Sequence, residues 1–324
     1  MIPPLPRTRQ VTIRAMKIAM MGSGGVGGFF GGRLAHAGYD VSFIARGAHL
    51  AAMRQQGLVI ESDVHGDIRI PAVRATDDPA SLGTVDLIIL SVKLWDTEAA
   101  IRQIKPLLRP GIGVLSLQNG VIKDEILRRE LGDAPVMGGV GYVATTISRP
   151  GVILQTGTMQ RVVLGEYDGR ISERARFLHE ALLKAGVTSE LSNDVRRAIW
   201  EKYAFLVGIS ATTTAMRATI GPIRTNPHTR AFLLEIMREV VAVGRAQGIA
   251  LPADYADACL ARADGLPAEM TASMAHDLQR GNRLEVEWLS GSVVQLGAVA
   301  GVPTPANRAV WDILALYAEG GKPA

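Results

Sequence analysis

Only one cysteine, Cys259, occurs in the 324 residues, so no internal disulfide can form and a reducing cytoplasm is the expected compartment. Its setting, Ala256-Asp-Ala-Cys-Leu-Ala261, reads as helix and makes it a packed thiol rather than a nucleophile. The sequence also lacks an apolar run long enough to span a bilayer, which excludes a membrane-crossing helix. Residues Met1 to Ala15 hold three prolines and three arginines but no hydrophobic stretch, which excludes a secretory signal. They are expected to form a loose tail, with Met16 as an alternative start. There is no lysine or arginine block of the kind that binds nucleic acid, and 35 basic against 31 acidic residues leave a mild +4. No repeat, low-complexity segment or metal site is expected. What remains, 48% apolar and 20% charged, describes a soluble globular chain with length for about two domains.

The most informative feature present lies between Met16 and Arg46. An apolar strand, Lys17 to Met21, runs into Gly22, Ser23, Gly24, Gly25, Val26 and Gly27, and a helix to Ala37 follows, closed by Gly38. A second strand, Asp40 to Ala45, ends at Arg46. In such a βαβ unit the first glycine permits a tight turn and the second lets backbone approach a pyrophosphate. The third brings helix and strand together, and the helix N-terminus faces the phosphates. Sites for NAD carry an acidic residue at the end of the second strand, for the ribose 2′-hydroxyl. Here Arg46 offers a cation to a 2′-phosphate, so NADP(H) is the expected cofactor. His49, three residues on, reads as a surface side chain.

Further along, Gly57–Ser62 and Asp67–Pro71 read as a short hairpin. Val85–Val92 is a near-continuous apolar strand, as expected where helices cover both faces of a parallel sheet. A helix over Ala99–Leu108 and a strand over Gly113–Leu117 follow, and 136–168 reads as further strand closing the sheet. From about residue 172 the helical period dominates. Asn193 is the expected cap of a long helix through Trp200, and Asn226-Pro227 starts another. Pro252 and Leu284 open two more. The expected fold class is α/β, a Rossmann-type doubly wound sheet followed by an all-helical C-terminal domain, with a tail at 1–15, a cofactor domain at 16–193 and a helical catalytic domain at 194–324.

Ligands of open α/β sheets sit outside the carboxyl ends of the strands, where Lys93 and Asn119 fall. In the helical part, Lys202 stands in the otherwise apolar Trp200–Val207 stretch, Glu285 precedes Gly291, and Ser273 lies in Thr271-Ala-Ser-Met274. Periodicity alone does not pair Lys202 with Glu285, and Glu287 competes with it on the opposite helix face.

The set Gly22-x-Gly24-x-x-Gly27, Ser91-Val-Lys93, Gln118-Asn119-Gly120, Trp200-x-Lys202, Ser273-Met274 with Asp277, and Glu285 before Gly291 resembles the ketopantoate reductase (2-dehydropantoate 2-reductase) family in order and spacing, from Met16 to about Asn307. The resemblance implies hydride transfer from NADPH to the C2 carbonyl of a 2-oxo acid. By it, Lys202 is the general acid, Glu285 binds substrate, cofactor or lysine, and Ser273 holds the substrate. Lys93 and Asn119 then lie where cofactor and substrate meet, and a homodimer is compatible. The family carries asparagines four and eight residues after its helix lysine; this chain has Leu206 and Ser210, expected to face the same cleft. That departure opens the alternative of a more apolar 2-oxo acid. Two other readings are a dehydrogenase of the 3-hydroxyacyl or 6-phosphogluconate kind and a non-catalytic NADP(H) sensor.

Overall fold

A computed structural model describes residues 16–321; the expected tail at 1–15 lies outside them. Among the described residues ten strands form one sheet: β1 (Lys17–Met21), β2 (Asp40–Ile44), β3 (Leu58–Ser62), β4 (Ile68–Ile70), β5 (Arg74–Thr76), β6 (Leu87–Leu90), β7 (Gly113–Ser116), β8 (Val136–Arg149), β9 (Val152–Gly165) and β10 (Thr188–Leu191). Their order is β4-β3-β9-β8-β7-β6-β1-β2-β5, with β10 paired to β9. From β5 to β8 all pairings are parallel. The β8–β9 hairpin then turns the sheet antiparallel, and β3–β4 and β10 dock in parallel on the two ends of β9. The apolar runs that suggested buried strands are fully covered: all four residues of β6 are buried, and likewise in β7.

Helices α1 (Gly25–His36), α2 (Gly47–Gln56), α3 (Thr97–Ile104), α4 (Ile122–Leu131) and α5 (Glu173–Lys184) accompany the sheet. The helical layer contains α6 (Val195–Ala215), α7 (Ile220–Thr225), α8 (Pro227–Ala246), α9 (Tyr255–Asp264), α10 (Ser273–Arg280), α11 (Ser292–Ala300) and α12 (Pro305–Leu314). Its core is built around α6 and α8, from Trp200, Tyr203 and Val207 against Ile236, Met237 and Val240. Cys259 is buried in this core, where burial pushes its thiol up to about 12, as expected of an inert packed thiol.

Four local expectations are corrected. The cap of α6 is Asp194, whose carboxylate accepts from the Arg197 N–H, one residue past Asn193. A strand, β10, interrupts the stretch read as helical; four residues alternating between exposed and half-buried carry too little apolar signal to show. Pro252 precedes its helix by three residues, since α9 begins at Tyr255. The last long helix opens as one π-turn, Glu287–Gly291, before α11. Asn226, by contrast, caps α8 with its side chain as its Asn-Pro pair suggested.

Candidate active site

Strand order reverses about β1, with β2 on one side and β6 on the other, so a crevice lies beyond their carboxyl ends. Gly22 leaves β1 with φ +90°, and its N–H and that of Ser23 donate to the Ile44 carbonyl at 3.2 and 3.1 Å. The Ser23 hydroxyl donates to the same carbonyl at 3.1 Å, so that side chain is spent on shaping the loop. A Cβ at Gly22 would lie 2.6 Å from Val92, at Gly25 2.6 Å from the Thr145 carbonyl, and at Gly27 2.1 Å from the Gly22 carbonyl. At Gly24 it would meet nothing within 4 Å. Packing thus requires three of the glycines, while the fourth leaves open backbone where a pyrophosphate would approach. Among the described residues no side chain caps α1, so its first N–H groups are available to an anion. Val26 lies in this first turn, half-buried on the sheet-side core. Two buried hydroxyls without hydrogen-bond partners, of Ser91 and Thr145, flank the loop. The residues present fit a dinucleotide.

Arg46 stands at the N-cap of α2 with its side chain 85% exposed and donates to Asp96 at 3.0 Å. His49 is not the surface residue expected. It is half-buried and bridges the clamp to the β8–β9 turn: its Nδ1 accepts from the Gly151 N–H at 3.0 Å, so Nε2–H donates to the Ser23 carbonyl at 2.9 Å. Burial lowers its pKa, only partly opposed by the Ser23 carbonyl. The sequence around it carries no local signal of this, since both the Ser23 carbonyl and Gly151 are brought to it by the fold.

Across the crevice, α6 presents Lys202. Its ammonium donates to the Asn119 side-chain oxygen at 2.9 Å and to the Gly141 carbonyl at 2.7 Å, and lies 5.7 Å from the Tyr142 ring. Among the described residues no carboxylate hydrogen-bonds to it, and its pKa falls to about 8: burial is the main cause and the charge of Lys123 adds to it, while Glu285 acts in the opposite direction. Asn119 is aimed by its neighbour Gln118, buried and bonded to Ser116, Thr97 and the Val92 carbonyl. Gly120 completes the turn at φ +78°.

The lysine that Glu285 binds is Lys93. Lys93 donates to Asp277 at 3.1 Å and to Glu285 at 3.4 Å. Burial works against its charge, but the two carboxylates outweigh burial and raise its pKa. Ser273, the first residue of α10, is exposed one turn before Asp277 and so on the same helix face. Glu287 points elsewhere, accepting from Trp311 and Gln295, whereas Glu285 accepts from Lys93. Beside Lys93, Trp95 and Trp288 pack 5.8 Å apart under Arg283.

Leu206 lines the small cavity below Lys202, together with Asn119, Lys123, Ile199 and Tyr203. Ser210, one turn further, is 1% exposed and lies outside that lining, because α6 has by then passed into the core of the helical layer. Lys123 and the Gly141 carbonyl were not anticipated. A lysine in the first turn of an amphipathic helix reads as solvated, and backbone acceptors leave no mark in a sequence.

A glycine-rich βαβ clamp with a half-buried lysine across the crevice from it is the arrangement of a two-layer oxidoreductase. A family model described as ketopantoate reductase PanE/ApbA matches residues 18–169, and its C-terminal counterpart matches residues 194–318. The chain is 32% identical over 316 residues to a 2-dehydropantoate 2-reductase of Mesorhizobium japonicum, covering 91% of this chain and 95% of that one. It is 31% identical over 303 residues to one of Archaeoglobus fulgidus, covering 93% and 98%. The crystal structure of a PanE/ApbA family ketopantoate reductase from Ralstonia eutropha superposes with a TM-score of 0.84 at 35% identity, covering 93% and 98%. This chain belongs to the ketopantoate reductase family. Among the described residues no helix is long and apolar enough to cross a membrane.

Proposed function

We propose that the protein is a cytoplasmic NADPH-dependent reductase that converts a 2-oxo acid to the 2-hydroxy acid, with 2-dehydropantoate as the substrate its relatives point to and residues 16–193 and 194–324 as its cofactor and catalytic parts. The observation that carries this reading is the ammonium of the half-buried Lys202, held in the crevice by uncharged partners. Bound NADPH supplies the hydride. Hydride addition to C2 builds negative charge on the carbonyl oxygen, and an ammonium in a water-poor cleft stabilises that charge more in the transition state than in the ground state. Lys202 then delivers its proton to the alkoxide, and a pKa of about 8 suits a donor working near neutral pH. Asn119 aims the ammonium. Lys93 and Ser273 lie where a substrate carboxylate and hydroxyl would bind, and Glu285 with Asp277 holds Lys93 in place. A homodimer is the proposed assembly.

NADPH is expected to bind at least tenfold more tightly than NADH. A charge-assisted contact of Arg46 with the 2′-phosphate contributes about 1.5 to 3 kcal/mol, and the exposed pair with Asp96 that it gives up is worth less than about 1. Titration of both cofactors into wild type and Arg46→Ala measures this: the variant should lose the preference, and equal wild-type affinities would refute the assignment.

A second reading, reduction of a more apolar 2-oxo acid, is favoured by Leu206 in the cavity wall and by the Trp95–Trp288 pair. The hydroxyl of 2-dehydropantoate against Leu206 would lose a hydrogen-bond partner, at a cost of about 1 to 3 kcal/mol. Leu206→Asn is therefore expected to raise kcat/KM for 2-dehydropantoate by about tenfold. NADPH oxidation across branched, aromatic and hydroxylated 2-oxo acids tests both readings. Efficient wild-type turnover of 2-dehydropantoate, weakened by Leu206→Asn, would remove the second.

A further inference from the structure

Lys123 is among the largest fully buried side chains described, 1% exposed, on the first turn of α4. Four oxygens surround its ammonium: both of Asp124 at 2.8 Å, the Ser116 carbonyl at 3.3 Å and the Gly139 carbonyl at 3.4 Å. Acceptors on every side suit an ammonium, which has three donors and no lone pair, and do not suit a neutral amine. The position has a topological cause. β7 ends at Ser116, its last partner on β8 being Met137, while β8 runs on through Gly139 and Gly141 with only β9 beside it. Carbonyls two residues apart in a strand point to the same side, about 7 Å from one another. Where the next strand should have supplied donors, two lysines do so instead: Lys123 to Gly139 and Lys202 to Gly141. Lys123 also grips Ser116, three residues before Asn119, the other acceptor of Lys202.

We infer that Lys123 is the positioning residue of the proton donor: fixed by Asp124, it anchors both arms of the Lys202 cradle and sets a second lysine beside it. The inference rests on the reading of Lys202 as general acid. The downward pull of Lys123 on the Lys202 pKa accords with it. The groups facing the two lysines are few. Around Lys202 they are Lys123 from α4, Glu285 from the segment before α11, and the Tyr142 ring of β8, which Arg161 and Arg262 also approach. Around Lys123 they are Asp124, with Arg128 and Tyr167 on its far side. Burial raises the Asp124 carboxyl by more than Lys123 lowers it. With both its oxygens 2.8 Å from the Lys123 ammonium, Asp124 is the counter-charge whose loss would leave Lys123 acting on Lys202 unopposed.

The two members of the pair should therefore move the proton donor in opposite directions. In single-turnover NADPH oxidation with a saturating 2-oxo acid, the rate should fall on the alkaline side as Lys202 loses its proton. Lys123→Met should shift that limb up by about one pH unit, and Asp124→Asn should shift it down by a similar amount. At pH 9 this makes the methionine variant about fivefold faster, relative to its own plateau, than wild type. A merely structural role lowers plateaus without moving limbs apart. NADPH affinity near that of wild type certifies that each variant is folded, and if one fails this check the other alone decides by the direction of its shift. A limb that ignores both substitutions, or moves the same way in both, overturns the inference. A limb and rate that persist unchanged in Lys202→Ala overturn instead the general-acid reading on which it rests.

Discussion

Lys202→Met is expected to lower kcat for 2-oxo acid reduction by about 10² or more while leaving NADPH affinity nearly unchanged, because the lost interaction belongs to the transition state. The same substitution has a stability signature. The pKa of Lys202 drops from the ordinary lysine value of 10.5 to about 8 in the fold. A folded-state pKa below the unfolded one means that, wherever the unfolded chain is protonated, folding has either to bury the charge or to give up the proton. The cost is full below about pH 8, shrinks as pH rises, and is gone above 10.5, amounting to about 3 kcal/mol at 1.36 kcal/mol per unit. Methionine carries no such cost, although it leaves Asn119 and Gly141 without their donor. Urea unfolding should thus show wild type gaining on the variant by up to about 3 kcal/mol between pH 7 and pH 10.5. A stability difference that does not change over that interval would contradict the buried ammonium, and full activity of the variant would rule out Lys202 as the proton donor, whereas a wild-type protein that binds NADPH but turns over no 2-oxo acid would favour the NADP(H)-sensor reading.

Gly24 and Gly27 lie three residues apart in the clamp, and their alanine variants should fail in different ways. A methyl on Gly27 would sit 2.1 Å from the Gly22 carbonyl and 3.1 Å from Ser91. The carbonyl cannot retreat, because the Gly22 and Ser23 N–H groups tie the loop to Ile44. Overpacking of this kind costs about 1 to 3 kcal/mol and sometimes more, and here it also pushes α1 off the sheet. Gly27→Ala should therefore lower Tm by several degrees and NADPH affinity with it. Gly24 has φ −72° and open space where a Cβ would point, so Gly24→Ala should fold as wild type does. Its methyl, however, projects where the pyrophosphate approaches, and NADPH affinity should fall by about tenfold or more at unchanged Tm. Paired thermal melts and cofactor titrations distinguish the two, and a Gly24→Ala protein that binds NADPH like wild type would mean the phosphates pass elsewhere.

Much of this molecule was legible before its fold was known, for reasons that lie close together in the chain. Strand, glycine turn and helix N-terminus all fall within Lys17–His36, and each depends on neighbours a few residues away. The Asn226 cap and the fully apolar β6 are local in the same sense. What was misplaced had little local signal: β10 is an edge strand, half exposed, held by β9 rather than by its own composition. His49 looked like surface because the residue that needs it, Gly151, comes 102 positions later.

By itself, then, the sequence determined the clamp, the alternation that makes the sheet, the change to a helical layer and the residue types available for chemistry, since periodicity, turn conformation and capping act over one or two turns of chain. Only the tertiary structure decided how those residues combine. Lys202 meets Asn119 across 83 positions, Lys93 meets Glu285 across 192, and Lys123 reaches the carbonyl that β7 leaves free on β8. These contacts come from the packing of the helical layer against the crevice and from the place where one strand stops short of its neighbour. Burial then lowers the pKa of Lys202 and gives the buried charge of Lys123 its reach, and burial is a property of the assembled layers that no short stretch of sequence carries.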